Sequence, residues 1–401
     1  MVYEITDENE IKLLHFSNLP FDENDINSCE GTASFRPVEV LLSGLNRPGE
    51  RHGTKYTYTA PGYRLKYKDM KDYRNETGRK LEILMEDKPT GLEVCSNIQF
   101  YDGISVIRSW TELKNNGEED LGVEYVSSFA LLGIDKEGLL STDEKLEVLI
   151  ARNAWQKELI WNRFSMDQLG MSISQPDKVR RSSQTISVGN TGNWSTKNYL
   201  PMGCLKNKET DSILFWQIEQ NGSWYWEISD QDGHMYLQLS GPTEHQSHWW
   251  KNLKPGDTFA SVPVSVGSAC GDVEEAAGEL TKYRRAIRRK NEDNEKLPVI
   301  FNDYMNCLWG DPTTEKELPL IDKAKEAGCE YFCVDCGWYS AGFWWDGVGE
   351  WLPSKERFPG GLKEVMDYIR SKGMVPGVWL ELEVMGIKCP MVEKMPENAL
   401  F

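Results

Sequence analysis

The chain has 401 residues, of which 39% are apolar and 27% charged, and its formal net charge at pH 7 is −18. The length predicts two or three domains, and the composition is that of a folded globular protein and excludes a disordered chain. The acidic balance disfavours nucleic acid and anionic membrane as partners. Because no run of about 18 apolar residues occurs, no membrane span is predicted.

The N-terminus and the cysteines predict where the protein is located. Residues 1–8 are acidic and lack the basic and apolar regions of a signal peptide. The nine cysteines are scattered without the spacing of a disulfide framework. An odd number of thiols without a secretion signal fits a reducing compartment, so we expect a cytoplasmic protein.

Residues 1–270 are predicted to form one antiparallel sandwich domain with large sheets. A strand at 104–113 is followed by the turn signal 115–117 and a return strand at 121–126. Apolar runs also flank a second turn signal, Asn221-Gly222, and a third at 254–257. Many short strands with turn signals and few helical stretches are typical of this fold.

Residues 271–296 are predicted to form a linker helix and a charged connector. Asp272 and Glu275 have the spacing of a capping box at the start of the helix. The apolar residues expected on one helix face are Val273, Ala276, Ala277, Leu280, Tyr283 and Ile287. The connector follows at 291–296.

Residues 297–401 show the alternation of strands and helices that builds a β/α barrel. The predicted strands are 298–302, 331–335 and 375–382, and the predicted helices are 318–327, with Pro319 in the first turn, and 361–372. A whole barrel needs about 250 residues, so this segment is predicted to be an incomplete barrel of about three β/α units.

Acids and tryptophans near the strand ends predict a sugar site. Asp335 follows an apolar strand, and the C-terminal ends of barrel strands face the active site, which favours a binding role over a surface cap. Trp379 is predicted inside the third strand, on one face with Glu381 and Glu383. This tryptophan either lines the lumen or fills the core.

The long segment after the second strand contains Trp338, Trp344, Trp345 and Trp351. Because loops lie on surfaces, four indoles there are better explained by a sugar-stacking rim than by core packing alone. Cys329, Cys333 and Cys336 are closely spaced, but a structural zinc site needs four ligands and no histidine follows His248. We therefore expect no metal, and the sequence shows no cofactor motif.

Several motifs, taken in chain order, resemble glycoside hydrolase family 36, the microbial-type α-galactosidases. They are 123–128, Phe301-Asn302-Asp303-Tyr304, Val334-Asp335-Cys336-Gly337-Trp338, Gly349-Glu350-Trp351 with 357–362, and 377–383. The resemblance implies an N-terminal β-supersandwich followed by a TIM-type barrel. It also implies retaining hydrolysis of terminal α-D-galactosides by two carboxylates.

The resemblance also implies roles for individual residues. The substrate-binding residues that it indicates are Asp335, Trp379, Tyr304, Cys336 and Trp338. Tyr304 stands where the family commonly has tryptophan, and Cys336 replaces the second aspartate of its motif.

In the family, the nucleophile and the acid/base come from later barrel strands, so we expect no catalytic residue in residues 1–401 and no activity of this chain alone. The expected partner is an α-galactoside oligosaccharide substrate, and homo-oligomers are left open. The alternatives are a transglycosidase or an α-N-acetylgalactosaminidase of the same family, or a non-catalytic carbohydrate-binding remnant.

Overall fold

The computed structural model describes residues 1–22, 35–45, 55–171 and 184–399. The segments 23–34, 46–54 and 172–183 of the predicted first domain lie outside the described residues, as does Cys29. The chain forms two compact units, 1–288 and 289–401. None of the helices in the described part has both the length and the apolar composition needed to cross a membrane.

The first unit consists mainly of β-strands. In chain order they are β1 Val2–Ile5, β2 Ile11–His15, β3 Val40–Leu42, β4 Lys66–Arg74, β5 Arg79–Asp87, β6 Leu92–Tyr101, β7 Ile104–Asn115, β8 Leu121–Leu132, β9 Leu146–Arg152, β10 Ile160–Ser165, β11 Ile186–Asn190, β12 Tyr199–Asn207, β13 Ser212–Ile218, β14 Trp224–Gln231, β15 His234–Ser240, β16 Lys251–Leu253, β17 Thr258–Ala260 and β18 Val264–Cys270. Its helices are α1 Ala60–Arg64, α2 Thr142–Lys145, α3 Glu244–Ser247 and α4 Val273–Ile287, with a 3-10 turn at Asp167–Leu169.

Two large antiparallel sheets form the body of this unit. The ten-stranded sheet has the order β10-β9-β12-β13-β18-β7-β6-β5-β4, with β17 also paired to β7. The six-stranded sheet has the order β11-β14-β15-β8-β16, with β3 also paired to β8. A separate hairpin joins β1 and β2.

The two sheets share one apolar core, because one cluster of buried side chains takes members from both. Along β5, Leu81, Ile83 and Met85 alternate with less buried residues, which is the period of a strand with one covered face. Trp216 of the larger sheet packs edge-on against Trp226 of the smaller one, with ring centroids 5.1 Å apart. Burial of such side chains contributes about 1.5–3 kcal/mol each.

The strands on either side of the three predicted turn signals exist, but the expectation that they pair with each other is wrong. β7 and β8 lie in different sheets, as do β13 and β14, and β16 and β17. The Ser109 and Thr111 hydroxyls of β7 donate to backbone carbonyls of β8 at 2.6 and 2.7 Å, so the two strands face each other across the core. A turn signal marks a change of direction but does not fix which neighbour the next strand pairs with, and burial of both apolar faces decides that.

The helix α4 forms as predicted, with Asp272 as its N-cap and a capping box to Glu275. Its buried residues Leu280 and Tyr283 pack in one cluster with side chains of the ten-stranded sheet, and the Tyr283 ring meets that of Tyr101 at 5.1 Å. Ala277, which was predicted on the buried face, is exposed. This helix is therefore part of the first compact unit.

The second unit contains a parallel sheet of three strands in the order β19-β20-β21. Its elements are α5 Glu292–Lys296, β19 Ile300–Asn302, α6 Thr314–Glu326, β20 Tyr331–Val334, α7 Leu362–Ser371 and β21 Val375–Val378, with short helical turns at Tyr304–Leu308, Trp344–Gly347, Val392–Lys394 and Glu397–Ala399. The residues predicted as a connector thus include the short helix α5.

Several boundaries in the second unit differ from the predictions, and the largest differences are at α6 and β21. α6 begins at Thr314 because the Thr313 side chain caps it, accepting from the Lys316 amide, so Pro319 lies in the second turn. β21 ends at Val378, and Trp379 lies just beyond the strand. The helix α7 forms within its predicted bounds and buries Val365 and Ile369.

We predict that Gly203→Ala destabilises the first unit. A Cβ at Gly203 would lie 2.5 Å from Cζ2 of Trp216, its cross-strand partner, so the buried indole would have to move. Overpacking of this kind lowers the free energy of unfolding by about 1–3 kcal/mol, which urea denaturation can measure.

The matched control is Gly278→Ala on α4, where a Cβ meets nothing within 4 Å. It should stabilise the protein by up to about 1 kcal/mol through helix propensity. A Gly203→Ala protein as stable as the parent would contradict the packing described here.

Candidate functional site

The carboxyl ends of the three parallel strands bring polar and aromatic side chains to one edge of the second unit. Asn302 is the last residue of β19, Asp335 follows β20, and Trp379 follows β21. The Trp379 amide donates to the Val334 carbonyl at 3.0 Å, which extends the pairing of β20 and β21 by one hydrogen bond. The structure therefore places Asp335 and Trp379 on the same edge of the sheet.

Asp335 is held by three hydrogen bonds. Its Oδ2 accepts from Asn302 Nδ2 at 2.6 Å, and its Oδ1 accepts from the Cys336 amide at 2.7 Å. Its own amide donates to Asp303 Oδ1 at 2.7 Å. The residue is 8% exposed. Because a carboxylate can accept about four hydrogen bonds, acceptor positions remain for the hydroxyls of a ligand.

Aromatic rings connect Tyr304 with Trp379. The centroid of Trp344 lies 6.0 Å from that of Tyr304 and 5.8 Å from that of Trp379, and both contacts are edge-to-face. Burial raises the pKa of the Tyr304 hydroxyl, and the nearby charge of Asp335 raises it further. Tyr304 is thus a neutral, half-buried phenol in the electrostatic field of Asp335.

Trp379 is supported on its other sides by two further rings. Tyr339 lies nearly parallel to it, with centroids 6.4 Å apart and an interplanar angle of 24°. Trp351 meets it edge-on at 5.9 Å. Trp338 Nε1 donates to the Trp379 carbonyl at 3.0 Å. These contacts hold Trp379 in one orientation.

The four tryptophans after β20 do not form a uniformly exposed rim. Trp338 is 4% exposed and lies in the core cluster of the second unit, so it supports Trp379 and does not offer a ring face to solvent. Trp344 and Trp351 are half-buried, and Trp345 is exposed. The loop is well packed because its indoles contact one another, which loop position alone did not predict.

Cys336 lies next to Asp335 but is itself buried. Burial raises the pKa of its thiol, and the Asp335 carboxylate raises it further. The side chain is therefore a neutral thiol, which is a weak hydrogen-bond donor and cannot replace the acceptor oxygens of an aspartate.

Glu381 and Glu383 lie beyond the end of β21, so the predicted alternation within a strand is wrong for them. Glu381 is half-buried, and burial raises the pKa of its carboxyl, with the nearby charge of Glu383 adding to the shift. Glu383 is exposed.

Sequence analysis missed two partners of the site. Asn302 appeared only within a motif, yet its amide is the side-chain donor to Asp335. Glu317 of α6 is fully buried and interacts with Asp303. A signal for Glu317 was available, because it shares the i, i+4, i+7 face of α6 with the buried Ile321 and Ala324.

Arg357 anchors the loop that contains the tryptophans. Its guanidinium donates to the carbonyls of Ser340 and Gly342, the latter at 2.9 Å, and forms an ion pair with Asp311. A planar guanidinium can reach several acceptors at once, so one buried side chain fixes two points of the loop.

Comparisons with known proteins show which proteins this chain resembles. Residues 264–400 match the model of the Melibiase family. The resemblance to glycoside hydrolase family 36 is confirmed. α-Galactosidase Mel36A of Lactobacillus acidophilus is 24% identical over 334 residues, which cover 80% of this chain and 41% of that protein. The chain thus spans less than half the length of this family 36 relative.

Solved family 36 structures share the fold. A variant of α-galactosidase AgaA from Geobacillus stearothermophilus in complex with raffinose superposes with a TM-score of 0.78 at 16% identity, covering 98% of this chain and 57% of that one. The galactosidase domain of the α-galactosidase–sucrose kinase AgaSK superposes with a TM-score of 0.74 at 18% identity, covering 98% of this chain and 56% of that one.

We predict that Arg357→Lys loosens the loop that contains the tryptophans. Lysine keeps the charge but cannot contact both carbonyls and Asp311 in one plane. Loss of charge-assisted hydrogen bonds should lower the free energy of unfolding of the second unit by about 1.5–3 kcal/mol. Hydrogen exchange of the loop amides should become faster.

Arg370→Lys on the exposed face of α7 is the matched control, since its ion pair with Asp367 is solvated and worth about 0–1 kcal/mol. Equal losses of unfolding free energy and equal exchange rates of the loop amides in the two variants would show that Arg357 does not anchor the loop.

Proposed function

We propose that this chain provides the β-supersandwich, at residues 1–270, a linker helix and connector at 271–296, and about three β/α units of a TIM-type barrel at 297–401, of a retaining α-galactosidase. The observation that carries the proposal is the Asp335 carboxylate at the C-terminal edge of the parallel sheet, on the same edge as the braced Trp379. The names of the relatives support it, as does the raffinose complex of AgaA. We further propose a cytoplasmic location.

The proposed roles follow from the chemistry of each side chain. Asp335 accepts hydrogen bonds from galactose hydroxyls, and Trp379 packs its indole against the C–H face of the sugar. Tyr304 borders the same space, and Cys336 contributes a thiol beside the carboxylate. Trp338 acts through Trp379, because it is buried and donates to the backbone of that residue.

We propose that residues 1–401 contain neither the nucleophile nor the acid/base. Retaining glycosidases hold these two carboxyls about 5–5.5 Å apart around the scissile bond. Asp335 is committed to Asn302 and Cys336, and Asp303 is buried behind the sheet. The 41% coverage of Mel36A also supports this proposal. A second candidate function is carbohydrate binding without catalysis. It is favoured by the same observation, because the carboxylates of Asp335 and Asp303 both already accept hydrogen bonds within the protein.

We predict that Asp335→Asn weakens raffinose binding by about 10- to 100-fold, because hydrogen bonds to a charged acceptor contribute about 1.5–3 kcal/mol each. The measurement is calorimetry on the product of the full coding frame. Asp367→Asn, on the exposed face of α7, should leave the affinity unchanged. Unaltered affinity of a folded Asp335→Asn protein would remove this residue from the site.

We predict that residues 1–401 alone do not hydrolyse a chromogenic α-galactoside, because loss of either catalytic carboxylate removes a step of the mechanism. The product of the full coding frame is the positive control, and its inactivity would favour the carbohydrate-binding alternative. Turnover by residues 1–401 at the level of this control would show that the catalytic acids have been misplaced.

A further inference from the structure

Two buried acids lie behind the candidate sugar site. Asp303 follows β19 and is 1% exposed, and Glu317 projects from α6 and is 0% exposed. Asp303 follows Asn302, the last residue of β19, and begins the short helical turn at Tyr304–Leu308 as its N-cap. The Asn302 side chain contacts Asp335, whereas the Asp303 side chain interacts with Glu317 of α6.

The two acids have few hydrogen-bond donors. Asp303 Oδ1 accepts from the Asp335 amide at 2.7 Å. Among the described residues, no donor other than a protonated carboxyl of the pair itself is available to Asp303 Oδ2 or to either carboxyl oxygen of Glu317. Two ionised carboxylates buried in this way would repel each other and lose their hydration, so the pair is stable only if one of them is protonated.

The surroundings decide which acid holds the proton. Burial, together with the hydrogen bond and the charge of Asp303, raises the pKa of Glu317 to about 10. Burial also raises the pKa of Asp303, but the hydrogen bond from Glu317 opposes that shift. Asp303 also accepts from the Asp335 amide, whereas no amide reaches Glu317, so Glu317 is the neutral acid and Asp303 remains the carboxylate.

Other titratable groups face the pair without offering it a second proton or a positive charge. Asp335 is a further carboxylate, and its charge raises the pKa of Asp303. Burial raises the pKa of three nearby thiols, and the charge of Asp303 adds to each shift. They are the thiols of Cys307, Cys333 and Cys336. These thiols stay neutral, so the shared proton keeps three acids from carrying three charges.

We propose that Glu317 is a positioning residue, which donates a proton to Asp303 so that the Asp303 carboxylate can hold the backbone amide of the sugar-binding Asp335. A charge-assisted bond of this kind is stronger than a neutral one. It fixes the position of Asp335 from the side opposite to the ligand. The sugar-binding part rests on the proposed function, whereas the shared proton stands independently of it.

The proton on Glu317 makes stability depend on pH. In the unfolded chain a glutamate loses its proton near its ordinary pKa of 4.5, whereas the folded protein retains the proton up to about pH 10. The folded state therefore binds more protons across this range, and its stability falls as the pH rises. Glu317→Gln removes this titration, and its amide can still donate to Asp303.

The first experiment compares unfolding of the parent and Glu317→Gln proteins between pH 6 and 9. We expect the variant to gain stability relative to the parent as the pH rises, with the ratio of their unfolding constants changing by up to about tenfold per pH unit. Glu315→Gln, on the exposed face of the same helix, should show no such divergence. Parallel curves for the parent and Glu317→Gln would overturn the shared proton.

The second experiment measures raffinose affinity in the product of the full coding frame. Glu317→Gln should bind like the parent, whereas Glu317→Ala, which removes the proton that Glu317 shares with Asp303, should bind at least about tenfold more weakly. Equal binding by Glu317→Ala would overturn the positioning role. A parent protein that does not bind raffinose would refute the proposed function, and the stability comparison would still decide on the proton.

Discussion

The hydrogen bonds of Asp335 are the interaction on which the candidate site depends. The Asp335 carboxylate accepts from Asn302 and Cys336, and its amide donates to Asp303, so the ends of β19 and β20 are tied together at one point. Trp379 joins the same point through the Val334 carbonyl. A binding group whose position is fixed before the ligand arrives loses little conformational entropy on binding. These hydrogen bonds therefore favour ligand binding by fixing Asp335 in advance.

The fold could be predicted where local signals decide it. The capping residues of α4 and the apolar spacing of α7 define each helix within a few residues of sequence. Sheet pairing is a property of distant residues, and therefore it could not be predicted. Asn115 and Asn221 mark turns correctly, but the strands after them cross to the opposite sheet, where they cover the apolar face of the strands that precede them.

The candidate site, like the fold, could be predicted only where local sequence signals decide it. Asp335 and Trp379 follow strands, and the rule that parallel strands end at one edge places them on one side of the sheet. The burial of Trp338 depends on contacts between loop residues far apart in sequence, which no local pattern contains. Glu317 was missed because a buried acid is costly, and only its pairing with Asp303 makes its position on an apolar helix face understandable.

The most direct test of this account is a crystal structure of the protein, expressed from its full coding frame, with galactose bound. The account predicts that galactose hydroxyls donate to the Asp335 carboxylate, that the Trp379 indole lies against the sugar's C–H face, and that the Asn302–Asp335 bond is retained. Galactose bound away from Asp335 and Trp379, with the Asp335 carboxylate contacted only by Asn302 and Cys336, would contradict the account.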